Sequence, residues 1–141
     1  MHTPIALDNN YFVAPQIFSE ELAALKALGF ERIINNRPNH EVDDQPLSMD
    51  LKEAVSALGL EYIDNPVDVK NLGELQVETQ TEAVASVKKT LAFCRTGVRS
   101  SILWVLMNHA NGKCYHDLKE EVSAKGFALY HFEEAMAALV K

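Results

Sequence analysis

The run from Lys89 to Asn108 constrains this chain more than any other stretch. Thr90 to Phe93 have the length and apolar character of a short buried strand, Cys94 to Val98 form a tight loop, and a helix opens near Arg99 that is apolar on most of its faces. A short strand apolar on both faces belongs in a parallel sheet covered on both sides by helices. The loop then sets a thiol at a helix N-terminus, where backbone N–H groups point outward and the dipole favours an anion. The thiolate is the nucleophilic form of cysteine, so this placement suits a nucleophile.

The rest of the chain supplies such a sheet. Tyr11 to Val13 read as a first strand, and Ser19 as the N-cap of a helix with Glu20 and Glu21 in its first turn. Leu22, Leu25 and Leu28 give that helix an apolar stripe, Gly29 ends it, and Phe30 to Asn35 follow as a strand. The same solution recurs thirty residues on. Ser48 reads as a cap, Leu51, Val55 and Leu58 as a stripe, Gly59 as a stop and Leu60 to Ile63 as a strand. Ala27-Leu28-Gly29-Phe30-Glu31 aligns with Ala57-Leu58-Gly59-Leu60-Glu61, but the pattern does not continue, which excludes a solenoid. A helix is expected from about Leu75 to Val87, and two more at Tyr115 to Ala124 and His131 to Val140.

Composition narrows the partners. With 13 basic against 20 acidic residues the net charge is −7, which argues against a nucleic-acid surface and makes the two arginines beside Cys94 a local exception. The first residues lack the basic flank and apolar run of an export signal, and the longest apolar run, Ile102 to Met107, is too short to span a bilayer. Cys94 and Cys114 form no metal spacing or disulfide framework, and the five histidines have no ligand spacing. A cytoplasmic protein with reduced thiols, without metal, cofactor or membrane partner, is expected.

Within the loop, Gly97 permits positive φ and close approach of a bound anion. Arg99 offers a planar pair of N–H donors to oxygens or to a charged sulfur species. Ser100 can donate to the thiolate as it forms or leaves, while Val98 anchors the loop on the core. Cys94-Arg95-Thr96-Gly97-Val98-Arg99-Ser100 resembles the active-site loop of the phosphatase-like domain found fused to, or beside, beta-lactamase-like hydrolases in bacteria. The resemblance extends over Tyr11 to Gln16, Gly29-Phe30 to Arg37-Pro38 with Asn35-Asn36, Gly59-Leu60-Glu61-Tyr62 to Pro66-Val67, Leu103-Trp104 and Ala124-Lys125-Gly126-Phe127. It implies an α/β fold like that of tyrosine and dual-specificity phosphatases, with a parallel central sheet flanked by helices, as one domain over residues 1–141.

The loop departs from that pattern in one respect. Cysteine-dependent phosphatases are similar to one another in having five residues between cysteine and arginine and a histidine before the cysteine; here Cys94 and Arg99 enclose four, and Phe93 precedes. Cys-Arg-x-Gly-x-Arg also resembles the six-residue loop of rhodanese-type sulfurtransferases. A shorter ring of N–H groups makes a smaller cradle, better suited to a persulfide than to three phosphoryl oxygens. Loop length therefore favours a sulfurtransferase carrying a persulfide on Cys94, with a sulfur donor and an acceptor thiol as partners. The alternative is a phosphatase forming a Cys94 phosphoenzyme with a small anionic or phosphorylated substrate, and a third reading is an anion-binding or redox-sensing module without catalysis.

A phosphatase also needs a general acid. By resemblance in fold it lies on the loop after the strand preceding the thiol strand's own αβ unit, where Asp68 sits, with Asp64 as rival. The expected catalytic set is Cys94, Arg99 and Asp68, and the anion-binding set is Arg95, Thr96, Gly97, Val98, Ser100 and Arg37. Arg37 and Glu41 follow the second strand on the sheet side where ligands bind, and their mutual pairing is the favoured role. Cys114, beyond a helix, is expected to lie far from the loop.

Overall fold

A computed structural model describes residues 3–68 and 70–140. Among them five strands form one sheet: β1 (Ile5–Ala6), β2 (Tyr11–Ala14), β3 (Arg32–Asn35), β4 (Glu61–Asp64) and β5 (Thr90–Phe93), in the order β1-β2-β5-β3-β4. β1 is an antiparallel edge strand and the other pairings are parallel. The helices are α1 (Leu22–Ala27), α2 (Ser48–Ala57), α3 (Glu74–Ala83), α4 (Val98–Ala110), α5 (Tyr115–Ala124) and α6 (Glu133–Ala137). None is long and apolar enough to cross a membrane among the described residues.

The strand order dictates which face each helix covers. The chain steps outward from β2 to β3 to β4, then returns over β3 to β5. Right-handed crossovers put the outward connections on one face and the return on the other. The core divides accordingly. Leu22, Leu25, Leu51 and Val55 of α1 and α2 pack with Ile33, Leu91 and Phe93, while Ile102, Val105, Leu118 and Val122 of α4 and α5 pack with Ile34 and Ala92 on the opposite face. Period-two alternation along β3 and β5 thus splits consecutive apolar residues between two cores. Burial of β5 on both faces explains why Leu91, Ala92 and Phe93 are apolar in succession.

Both anticipated helix-to-strand units close alike. Gly29 N–H bonds to Lys26 O and Phe30 N–H to Leu25 O; Gly59 N–H bonds to Ser56 O and Leu60 N–H to Val55 O. These are two Schellman closures. They use Phe30 and Leu60 as the residues after the cap, so β3 begins at Arg32 and β4 at Glu61, later than expected.

Other boundaries also moved. Ser19 opens a 3₁₀ turn (Ser19–Glu21) with Phe18 at the capping position, its N–H donating to Glu21 Oε1. Ser48 lies inside the first turn of α2 and sends its hydroxyl to Asp64 Oδ1, 2.8 Å away, instead of capping. The expected helix to Val87 ends at Ala83, because Arg32 draws Ser86 toward the sheet through its carbonyl and hydroxyl. The last expected helix is a 3₁₀ turn (Tyr130–Phe132) leading into the short α6. β1 was not anticipated at all.

Candidate functional site

β5 lies between β2 and β3, so Cys94, one residue past its end, emerges between the ends of two neighbouring strands. Ligands bind in such crevices at the carboxyl edge of open α/β sheets. Gln16 N–H bonds to Arg95 O at 3.3 Å, and Asn36 N–H bonds to Phe93 O at 2.8 Å. The thiol strand is thus held from both sides just where the loop begins.

Cys94 is fully buried, and Gly97 N–H points at its sulfur from 3.1 Å. Gly97 has φ +95°, and α4 opens directly after it at Val98. A Cβ at Gly97 would meet Phe127 Cε1 at 2.8 Å. Glycine is therefore required twice, by backbone conformation and by the ring packed over it. Phe127 reaches this position because α5 closes with Gly126 N–H on Ser123 O and Phe127 N–H on Val122 O, which swings the ring back toward the loop. The residues were among those carrying the family resemblance; their contact with the loop was not foreseen.

The arginines have distinct surroundings. Arg99 donates from Nη1 to Glu41 Oε2 (2.7 Å) and Val67 O (2.9 Å), and from Nη2 to Glu41 Oε1 (2.9 Å). Among the described residues three of its five N–H groups have oxygen acceptors, leaving Nε–H and one Nη2–H on a common edge beside Cys94. Burial works against the Arg99 charge, but Glu41 and the neighbouring Cys94 sulfur outweigh it and hold the guanidinium above its ordinary value. Glu41 is also pinned by Arg37 Nε at 2.8 Å. The Arg99 hydrogen bonds, reinforced by Arg37 against the opposing effect of burial, lower the Glu41 carboxyl to about 2. His40 turns the chain into Glu41 at φ +65°, a left-handed conformation costly for a residue with a Cβ.

Arg37 is buried and donates to Gln16 Oε1 at 2.9 Å as well as to Glu41. It is tied into the wall of the site, as the expected Arg37–Glu41 pairing implies. Arg95 and Thr96 are exposed at the loop's crest, and among the described residues no carboxylate pairs with Arg95. Val98 is half-buried against the α4 side of the core. Ser100 is a correction. Its hydroxyl donates to Asn36 Oδ1 at 2.9 Å, not to Cys94, because a buried polar cluster claims it first.

Asp68 is half-buried on the loop after β4, one residue beyond the Val67 carbonyl that Arg99 holds. Its Oδ1 accepts the N–H groups of Lys70 and Asn71 at 2.8 and 2.9 Å, making a local turn. Asp64, its rival, ends β4 and accepts the Ser48 hydroxyl. Cys114 is exposed at the N-terminus of α5, at the far end of α4 from Cys94. A cavity of about 230 Å³ lined by Asp8, Asn10, Thr90 and Trp104 opens at the opposite edge of the sheet and has no part in the thiol site.

The family described as "Beta-lactamase hydrolase-like protein, phosphatase-like domain" matches residues 5–111. The chain belongs to this family. A beta-lactamase hydrolase-like protein of Agrobacterium fabrum is 28% identical over 127 residues, 89% of this chain but 30% of that protein. The phosphatase-like domain thus corresponds to under a third of its curated relative's length. A putative phosphatase from Neisseria meningitidis superposes with a TM-score of 0.82 at 28% identity, covering 95% of this chain and 96% of that one. P. aeruginosa TpbA, solved in complex with pTyr, has a TM-score of 0.68 at 12% identity over 98% of this chain and 82% of that one. The fold is that of the tyrosine and dual-specificity phosphatases, and the phosphatase-like domain is a phosphatase-type enzyme scaffold.

Proposed function

We propose that the phosphatase-like domain hydrolyses phosphomonoesters through a Cys94 phosphoenzyme. The observation that carries this reading is the Arg99 guanidinium held beside Cys94: Glu41 and Val67 O take three of its donors, and among the described residues the other two have no oxygen acceptor and lie beside the Cys94 sulfur near the α4 N-terminus. An anion seated there is bound by paired N–H groups while its central atom faces the thiolate. Family membership and the fold support phosphoryl chemistry over sulfur transfer. An aryl phosphate is the substrate class to try first, since TpbA carries pTyr on this fold.

In the first step the Cys94 sulfur attacks phosphorus and the ester P–O bond breaks. The leaving oxygen takes a proton from Asp68, through the carboxyl oxygen not used in the local turn. Water then gives a proton to Asp68 and attacks phosphorus; the S–P bond breaks, returning the thiolate and releasing inorganic phosphate. Arg95 and Thr96 at the crest meet the part of the substrate beyond the phosphoryl group, and Gly97, Val98 and Ser100 form its floor.

Sulfur transfer remains the reading favoured by the four-residue spacing between Cys94 and Arg99. One pair of measurements separates the two. With p-nitrophenyl phosphate, hydrolysis that disappears in Cys94→Ser, together with a phosphoryl adduct in the intact mass after acid quenching, is the expected result. No hydrolysis, with one sulfur gained on Cys94 from thiosulfate, overturns the phosphatase reading. Binding of phosphate with neither reaction leaves the non-catalytic module.

A further inference from the structure

Behind the thiol loop lies a cluster of buried polar side chains that the chemistry above does not use. Gln80 of α3 is fully buried and saturates all four hydrogen-bonding positions of its amide. Its Nε2 donates to Tyr11 OH (2.9 Å) and Asn36 Oδ1 (3.1 Å), and its Oε1 accepts from Asn36 Nδ2 (2.9 Å) and Asn65 Nδ2 (2.8 Å). Asn36 is equally saturated: its other donor goes to Asn65 O, and its Oδ1 also accepts the Ser100 hydroxyl. Tyr11 OH donates onward to Ser100 O at 2.8 Å. Reversing either amide would set donors against donors and acceptors against acceptors, so the arrangement admits one orientation.

The consequence falls on Ser100, one residue after Arg99. Its hydroxyl and its carbonyl are both held, the first through Asn36 and the second through Tyr11, and both holders end on the same Gln80 amide. We propose that Gln80 is a positioning residue of the thiol loop, fixing through Asn36 and Tyr11 the first turn of α4 and thus the donors that face an anion at Cys94. This rests on Cys94 working as an anion-facing thiolate, whichever group it transfers. A buried polar network of this kind specifies geometry when complete and is costly when broken.

The test is the ratio of Cys94 alkylation rates by iodoacetate and iodoacetamide at one pH, followed by intact mass with Cys114 replaced by serine. The anionic reagent senses the oriented donors; the neutral one senses only access. In Gln80→Met, removal of about one hydrogen bond's worth of orientation lowers the iodoacetate-to-iodoacetamide ratio by about fivefold. Tyr11→Phe deletes only the hydroxyl linking Gln80 to Ser100 O; the ratio falls there too, by about twofold, and this variant decides the matter if Gln80→Met does not fold. Thr81→Val, an exposed neighbour on α3 whose hydroxyl bonds to Val77 O, leaves the ratio unchanged.

An unchanged ratio in a folded Gln80→Met or Tyr11→Phe protein overturns the proposal. So does equal acceleration with both reagents, the mark of simple opening around a buried cysteine. Alkylation reads the loop whether or not a phosphoester is hydrolysed, so a wild-type protein inactive toward phosphoesters would remove the phosphatase reading and leave this one standing.

Discussion

Replacing Glu41 by glutamine removes the charge that holds Arg99 while retaining a side chain of nearly the same shape. The carboxyl is lowered from 4.5 to about 2, a difference worth roughly 3.5 kcal/mol at about 1.4 kcal/mol per unit if it were unscreened. The Glu41 side chain is 25% exposed, so solvent screening reduces the expected loss to about 1–2 kcal/mol. For a chain of this length that is a fall in Tm of roughly 3–7 °C at pH 7. The sign follows from the lowered folded-state value. The stabilisation is complete above 4.5 and is lost as pH falls through about 2, so roughly two-fifths of it remains at pH 3. Urea unfolding of the wild type and Glu41→Gln at pH 7 and at pH 3 measures it. A difference that is the same at both pH values, or absent at pH 7, refutes the argument that ion pairing with Arg99 is the source. Because Arg99 is also freed, turnover should fall together with stability at pH 7.

Three further outcomes are expected. Gly97→Ala, strained at φ +95° and meeting Phe127 at 2.8 Å, should lose about 2–3 kcal/mol by chemical denaturation, and pairing it with Phe127→Ala should recover only the steric part. Asp68→Asn should sharply reduce turnover of alkyl phosphates while sparing p-nitrophenyl phosphate, whose leaving group needs no proton; equal loss on both would reject Asp68 as the acid. Arg95→Ala should leave stability within about 0.5 kcal/mol of the wild type, since the side chain is exposed, and raise KM with kcat little changed.

The parts of this fold legible in sequence were those governed by local rules. Gly29 and Gly59 announced two helix closures because a left-handed cap needs glycine, and Thr90–Phe93 announced a buried strand because the consecutive apolar residues Leu91, Ala92 and Phe93 leave no solvent face. Cys94, Gly97 and Arg99 were legible for the same reason, since a thiol, a permissive turn and a planar cation lie within six residues. Gln80 was not. On a helix with as many polar residues as α3, a glutamine facing inward looks like one facing water, and its partners Tyr11, Asn36 and Asn65 come from three distant segments. Glu41 was placed with Arg37, four residues away, but its stronger engagement with Arg99 spans 58 residues and could not be read from spacing. Ser100 was misjudged because the competitor for its hydroxyl, Asn36, arrives from the end of β3, 64 residues earlier in the chain.

The position of β5 bears on the order in which the molecule comes into being. β2 and β3 do not pair with each other; each pairs with β5, which is later in the chain than both. On a ribosome the strands made early must wait, with edges open, until residue 93 has left the exit tunnel. Insertion of a late strand between two earlier ones is a long-range event and slow for its size. The same event delivers the cysteine. No partly assembled chain can display Cys94 in its finished loop, because the strand that brings the sulfur into place is also the one that joins the two halves of the sheet.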